Sequence, residues 1–361
     1  MFAPTRTNFS DSAFPIGGFE SYVFQQIREK IPIIDACIQK IIRLVGEFEI
    51  VCDDEECQRE IDSFLKDVRV GGSVTGIKQF ICCYLEQLLV YGNAIGEIVP
   101  NKDFDGVGYL YNAHAENVFV KEGATPFDLE FFVKQGIETI KIPNNDYILF
   151  TPLNPKSGEI TGNSILEGLD FIGEILLKIY SAIGKSFERI GDLRYAVTYN
   201  PKGEISPTTA KEIAEDLSTR WSEVMSRKGG SQISDFMAVG DVSVKVIGAE
   251  NDIFEVKEPI RCLLEQIIAK LGIPPFMLGI SWSSTERMSK QQSDILTSEI
   301  KNYRQLLSPV AEKICRLHLA MKGMFCGIDV RWQSISLDDE VEIAEARLIS
   351  ARAMEIEEKG E

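Results

Sequence analysis

One helical pattern ends abruptly at Leu271 and a second, longer one begins after a polar gap. That interruption constrains the fold more than any other feature of the chain. Leu263, Leu264, Ile267, Ile268 and Leu271 recur at helical spacing and mark one apolar face. Gly272 supplies a C-terminal stop, and Pro274 and Pro275 have no backbone N–H with which to continue the helix. The following segment, GISWSSTERMSKQQSD, is polar and carries one bulky residue, Trp282. Apolar residues then return at Leu296, Ile300, Tyr303, Leu307, Val310, Ile314, Leu317 and Met321. The pattern predicts a helix, a Pro-Pro elbow, an exposed loop and a long helix.

Upstream, Val23, Ile27, Ile31, Ile34, Cys37, Ile38, Ile41 and Ile42 predict an amphipathic helix from about Phe19 to Val45, broken or restarted near Pro32. Phe48 to Val51 reads as a strand, with CDDEECQ as its turn. A second helix runs from about Val74 to Tyr91 and stops at Gly92. From there to about residue 152, short apolar runs alternate with Asp-Gly and Gly turns, as antiparallel strands do. Helices followed by strands predict an α+β domain over 1–160. Ile165, Leu169, Ile172, Leu176, Ile179, Ile183, Phe187 and Ile190 then repeat close to every 3.5 residues, suiting a long helix packed along others. Gly168, Gly173 and Gly184 weaken that helix; close approach of a neighbour or flexibility accounts for them equally well. Strands at LRYAVTYN, FMAVG and VSVKVIG and a helix from Pro207 to Met225 make a compact αβ insert between two long helices. Such a layout suits an elongated subunit better than an enzyme.

Composition narrows the function. The apolar fraction of 44% and charged fraction of 26% are ordinary for a globular protein. No apolar run approaches the roughly 18 uncharged residues of a membrane span, and the N-terminus lacks the pattern of a secretory signal. Eight scattered cysteines suggest reduced thiols rather than a disulfide framework. Cys52 and Cys57, among four acidic residues, are the nearest approach to a metal pattern and read better as a surface turn. The net charge of −17 disfavours tight DNA binding, which needs Lys and Arg at phosphates. An acidic wall does suit a conduit through which a polyanion must slide. Only His114 and His318 are available as histidine bases; His318 reads as structural and His114 as solvent-facing. Neither VGGSVTG nor GVG sits in a phosphate-binding context. No residue set names a reaction, a cofactor or a metal.

An ordered series of motifs resembles the portal proteins of long-tailed phages. LLVYGNAIGEIV occupies Leu88 to Val99, Gly162-Asn163-Ser164 matches a Gly-x-Ser opening the first stem helix, and Gly272-Ile273-Pro274-Pro275-Phe276-Met277-Leu278-Gly279 matches the end of the second. Leu307-Ser308-Pro309 matches a Leu-x-Pro step that closes a long helix. Each motif alone is weak; the ordered set, spanning about 75 to 340, is fairly specific.

The resemblance implies an α+β subunit with a wing at 1–160, a first stem helix at 161–190, a clip at 191–256 and a second stem helix at 257–273. An elbow and tunnel loop at 274–290, a long helix at 291–325 and a wing strand with a short C-terminal helix at 326–361 complete it, the crown being short or absent. It implies a ring, usually of twelve subunits, at one capsid vertex, assembled in the bacterial host cytoplasm and carried in the virion. Gly272, Pro274 and Pro275 make the elbow, and Trp282, Ser283, Ser284, Thr285, Glu286, Arg287, Met288 and Lys290 the tunnel loop. Trp282 and Met288 are its bulky residues, and Arg287 and Lys290 the cations able to touch phosphate in passing. The alternative is that Trp282 packs against a helix and both cations pair with carboxylates. Arg220, Trp221, Arg227 and Lys228 are candidates for clip contacts, although Trp221 also falls on the apolar face of its own helix. The implied partners are capsid and scaffolding proteins, the terminase large subunit, a head–tail adaptor and, transiently and without sequence preference, double-stranded DNA. A metal-dependent carboxylate enzyme acting on nucleotides or DNA is the competing reading, motivated by the acidic surplus.

Overall fold

The computed structural model describes residues 14–18, 20–125, 128–136, 138–191, 194–199, 206–226, 242–247, 256–280 and 286–335, and only the backbone of 189–191, 194–199, 220–226, 242–247 and 286. In chain order the elements are β1 (Phe14–Pro15), α1 (Ser21–Lys30), α2 (Pro32–Val45), β2 (Phe48–Cys52), α3 (Glu55–Asp67), β3 (Arg69–Val70), β4 (Val74–Thr75) and α4 (Ile77–Tyr91). Then follow β5 (Asn93–Pro100), β6 (Val107–Asn112), β7 (Val118–Glu122), β8 (Leu129–Gln135), β9 (Glu138–Lys141), β10 (Ile148–Pro152) and α5 (Leu169–Gly191). The rest are β11 (Arg194–Tyr199), α6 (Pro207–Ser226), β12 (Val242–Ile247), α7 (Lys257–Leu271), α8 (Glu286–Met321) and β13 (Ile328–Trp332). The class is α+β.

Two compact units divide the chain, one of residues 1–177 and 261–361 and one of 178–260. In the larger, α2, α3, α4 and α8 pack together. Ile34, Ile38 and Ile41 of α2, Phe80, Leu85 and Leu88 of α4 and Leu296, Ile300, Leu307 and Ile314 of α8 are buried. At about 25 cal/mol per Å² of apolar surface removed from water, such a face supplies the main drive for docking the helices. α2 starts where Pro32 must: Ile31 before it is extended, at φ −118° and ψ 91°, and Pro32 takes the first helical position.

α4 also covers a five-stranded sheet of order β10-β5-β6-β3-β4, antiparallel except between β3 and β6. A Cβ on Gly96 would lie 2.6 Å from the Phe80 ring, so this strand accepts α4 only with glycine there. A four-stranded sheet, β1-β7-β8-β9, shares a second core with β5 and β10 through Ile16, Ile95, Val118, Val120, Phe131 and Ile148. β2 and β13 form an antiparallel ribbon with Ile50 opposite Val330. The smaller unit holds the end of α5, α6, the start of α7 and an antiparallel β11–β12 ribbon pairing Arg194 with Ile247.

Several expectations are corrected. The segment read as a turn after β2 opens helix α3: the Asp54 carboxylate accepts from Glu56 N at 2.9 Å and Cys57 N at 3.0 Å, a side-chain cap. The helix expected from 161 starts at Leu169, because Gly162-Asn163-Ser164 is bound to neighbouring backbone and Gly168 stands at φ +82°. Gly168 therefore lies outside the helix. Gly173 does mark a close approach, since its Cβ would sit 2.9 Å from Ile31 Cδ1, whereas Gly184 has nothing within 4 Å. Pro309 does not close α8, which continues to Met321. Both Pro309 and Gln305, whose carbonyl loses its N–H partner, are exposed, so water can reach that carbonyl. The FMAVG segment lies outside the described residues.

Candidate functional site

The elbow is built as the sequence demands. Gly272 ends α7 in a left-handed conformation, φ +68°, with its N–H on Ile268 O at 2.9 Å. Ile273 and Pro274 are buried. Pro275–Leu278 forms one 3-10 turn, which packs on α2. It closes at Gly279, φ +74°, with Ile280 N–H donating to Pro275 O at 3.1 Å.

Trp282, Ser283, Ser284 and Thr285 lie outside the described residues. α8 already begins at Glu286, so Arg287, Met288 and Lys290 stand on its first turn and not in a loop, and all three are exposed. The long helix therefore begins five residues before the expected 291, the Glu-Arg-Met-Ser-Lys run having ordinary helix propensity. Arg220 and Trp221 belong to α6, which Ser206 caps by accepting from Thr209 N at 3.2 Å. Their side chains, and Arg227 and Lys228 altogether, fall outside the described residues.

Two polar anchors hold α8, one of which, Arg304, sequence reasoning missed. Arg304, 8% exposed, donates Nε to Val45 O at 2.9 Å and Nη1 to Gln333 O at 2.7 Å, and lies 5.3 Å from the Trp332 ring centroid. It thus places a cation at the C-terminal end of α2, where the helix dipole is negative. Burial lowers its pKa from the ordinary guanidinium value. Trp332 Nε1 donates to Ser308 Oγ at 2.9 Å, and Ser308 Oγ to Arg304 O at 2.8 Å. The Leu307-Ser308-Pro309 step is thereby tied to β13.

His318, 5% exposed, is the second anchor. Its Nδ1 accepts from Val107 N–H at 3.1 Å, which leaves the neutral ring's proton on Nε2, facing Glu60 Oε1 at 3.0 Å. Phe64 stacks on the ring at 3.9 Å, and Lys322 Nζ reaches the same Glu60 oxygen at 3.0 Å. Burial lowers the His318 pKa, against the pull of Glu60. Burial works against ionised Glu60, yet hydrogen bonds from His318 and Lys322 outweigh it and keep its pKa low. His318 is structural, as read from sequence, and His114 is exposed.

The third feature joins two motifs that sequence alone could not bring together. Gly92 caps α4 at φ +74°, and a Cβ there would lie 2.4 Å from Asn163 C. One on Gly162 would lie 2.2 Å from Leu153 N and 2.3 Å from Gly92 O. Backbone packs on backbone, so only glycine fits. Buried Asn93 completes the clasp, accepting from Gly162 N at 2.7 Å and donating to Ile16 O at 3.0 Å. Ser164 Oγ donates to Val90 O at 2.6 Å. A cleft of about 290 Å³ opens beside it, walled by Phe14, Phe24 and Tyr91, with Glu20 and Glu167 in its lining.

Cys52 and Cys57 each contact Cys326, and the hydrogen bond from Cys57 to it, with burial, pushes the Cys57 thiol up to about 12. Among the described residues no group of three His, Cys, Asp or Glu side chains is placed to hold a metal ion, and no helix is long and apolar enough to cross a membrane.

With this geometry the chain resembles solved particle proteins. A chain in the virion of a native gene transfer agent particle matches at TM-score 0.61 and 14% identity, over 96% of this chain and 91% of that one. A chain in the neck of a native particle, computed with C12 symmetry, matches at TM-score 0.56 and 14% identity, over 88% and 84%. The chain has the fold of these particle chains. A weaker likeness, TM-score 0.42 and 11% identity over 85% and 95%, is to an HK97 family phage portal protein from Corynebacterium diphtheriae. No family model and no curated protein sequence matches the chain.

Proposed function

We propose that this chain is a portal subunit. Copies close into a ring of twelve at one vertex of a DNA-carrying particle, and double-stranded DNA passes through its centre during packaging and ejection. The observation that carries the reading is the shared fold over nearly all of both chains with a gene transfer agent virion chain. The ordered motifs agree with it, as do the C12 and C6 symmetries with which particle necks holding a chain of this fold were computed.

On this reading the ring acts by confinement rather than catalysis. Residues 1–160 and 326–361 are the wing, 161–190 and 257–273 the stem, and 191–256 the clip that docks the terminase large subunit and later the head–tail adaptor. Capsid and scaffolding proteins meet the wing, and assembly takes place in the bacterial host cytoplasm. The segment from Trp282 to Lys290 borders the channel, where Arg287 and Lys290 touch phosphates in passing. With a net charge of −17 the subunit repels a polyanion more than it grips it, which lets DNA slide.

Negative-stain electron microscopy with mass photometry on the purified chain tests the proposal. Rings with a central hole and a mass near twelve subunits are expected. A chain that stays monomeric at high concentration, with its scaffolding protein present, sinks the reading.

A further inference from the structure

Three of the eight cysteines, from separate segments of the chain, meet at one end of the β2–β13 ribbon. Cys52 ends β2, Cys57 stands on the first turn of α3, and Cys326 lies two residues before β13. Cys57 donates a hydrogen bond to the Cys326 sulfur, and Cys326 and Cys52 are hydrogen-bonded in turn. The surrounding backbone holds them there. Gln58 Oε1 accepts from Cys52 N–H at 2.8 Å while Gln58 Nε2 donates to Ile50 O at 2.8 Å, which clamps the start of α3 to β2. Asp53 N–H donates to Gly327 O at 3.3 Å, and a side chain on Gly327 would run into the Asp53 carboxylate. The lead into β13 therefore lies tight against the end of β2. Cys57 is buried, whereas Cys52 and Cys326 are partly exposed, so a small solute can reach Cys326 while Cys57 stays sheltered.

We propose that Cys57 and Cys326 are a disulfide-forming pair, closed by exchange with a low-molecular-weight disulfide. The Cys326 thiol gives up its proton and its sulfur attacks one sulfur of the small disulfide. That S–S bond breaks, and one small thiol leaves with the proton. Cys57 then loses its proton and attacks Cys326 Sγ, and the second small thiol departs with it. Two protein thiols are oxidised to one disulfide, and the small disulfide is reduced to two thiols.

Cys52 is the poorer partner. Ile328 stands opposite Cys52 in the ribbon, so Cys326 is offset from it by two positions. Diagonal neighbours of that kind keep their Cβ atoms about 7 Å apart, against the roughly 3.5–4.5 Å that a bridge needs. The hydrogen bond to Cys326 and burial push the Cys57 thiol up to about 12, and burial raises Cys326. Thiols that ionise so reluctantly attack slowly and leave slowly, so the bridge closes slowly and resists reduction once closed. Closed, it ties α3 to the segment between α8 and β13. The pairing stands on the cluster alone, and its timing rests on the portal reading. A bacterial cytoplasm keeps thiols reduced and a released particle meets an oxidising medium, so the bridge is open during assembly and closes afterwards.

The full chain, carrying Cys262→Ser to remove an exposed thiol, is purified reduced, incubated with glutathione disulfide and digested without reduction for mass spectrometry. A chain lighter by two hydrogens, with one peptide pair joining Cys57 to Cys326, is expected. Its Tm should exceed that of the reduced chain by about 5 °C or more, and dithiothreitol should reverse the gain. Folded Cys57→Ser should stop at a glutathione mixed disulfide on Cys326, since no second thiol resolves it. Free thiols after prolonged incubation overturn the proposal, as do a Cys52–Cys326 bridge, a mixed disulfide that persists in the parent chain, or a bridged chain of unchanged or lowered Tm. Alkylation of thiols at cell lysis and in released particles tests the timing, with free Cys326 expected in cells and the bridge in particles; a bridge already closed in cells overturns it. A chain that bridges in solution yet enters no particle fails the portal reading and leaves the pairing intact.

Discussion

At the scale of single residues, Gly162, Gly184 and His318 make separate demands on the chain. Gly162→Ala pushes a methyl group into three backbone atoms of Leu153 and Gly92 and is expected to cost about 3 kcal/mol or more. Gly184→Ala meets nothing within 4 Å inside a helix and is expected to stabilise by about 0.5–1 kcal/mol. Denaturant titrations of the two variants check both signs. His318 predicts a pH dependence. Its folded pKa lies below its unfolded one, so the unfolded chain binds the proton more readily. Its contribution is complete above about pH 6.5 and is lost as pH falls through that value toward the folded pKa. Glu60, also lowered, adds a further loss below the ordinary carboxylate range. Unfolding midpoints across pH 8 to 2 should fall in these two steps, and His318→Gln should remove the first.

At the scale of elements, α3 and α8 show how caps and breakers act in context. Asp54 with Glu55 and Glu56 reads as a charged turn, but it is a helix cap followed by acidic residues at the positive end of the dipole. The signal lay in Cys57, Ile61 and Phe64 at helical spacing, a face too short to stand out from the charges around it. Pro309 reads as a terminator, and α8 runs through it because burial of Leu307, Val310 and Ile314 on the opposite face outweighs one missing hydrogen bond. Pro309→Ala restores that N–H on the solvent side. It is expected to raise the stability of the chain by about 1–3 kcal/mol, read as a higher Tm.

At the scale of the whole molecule, the charge balance decides how the proposed ring would treat DNA. With 55 acidic against 38 basic residues, purified rings should bind double-stranded DNA weakly in a filter or mobility assay. That affinity should fall only shallowly as salt rises, because the salt slope scales with the number of phosphate contacts and these are few. A tight complex that survives high salt would contradict a sliding channel. The clasp, the Arg304 anchor and the His318 anchor all lie in the larger unit.

Local pattern alone determined the helices with unbroken apolar stripes, the stops at Gly92 and Gly272, the Pro-Pro elbow and the α+β order, since each depends on neighbours a few residues apart. Tertiary structure decided what distance in sequence hides. Strands 118–122 and 93–100 went to different sheets because pairing is chosen by the core each face can bury. The reason two glycine motifs 70 residues apart must be glycine is that their backbones touch. Arg304 and His318 became anchors only where carbonyls and a carboxylate from distant segments closed around them, because a buried polar group is stable only when its partners are already in place.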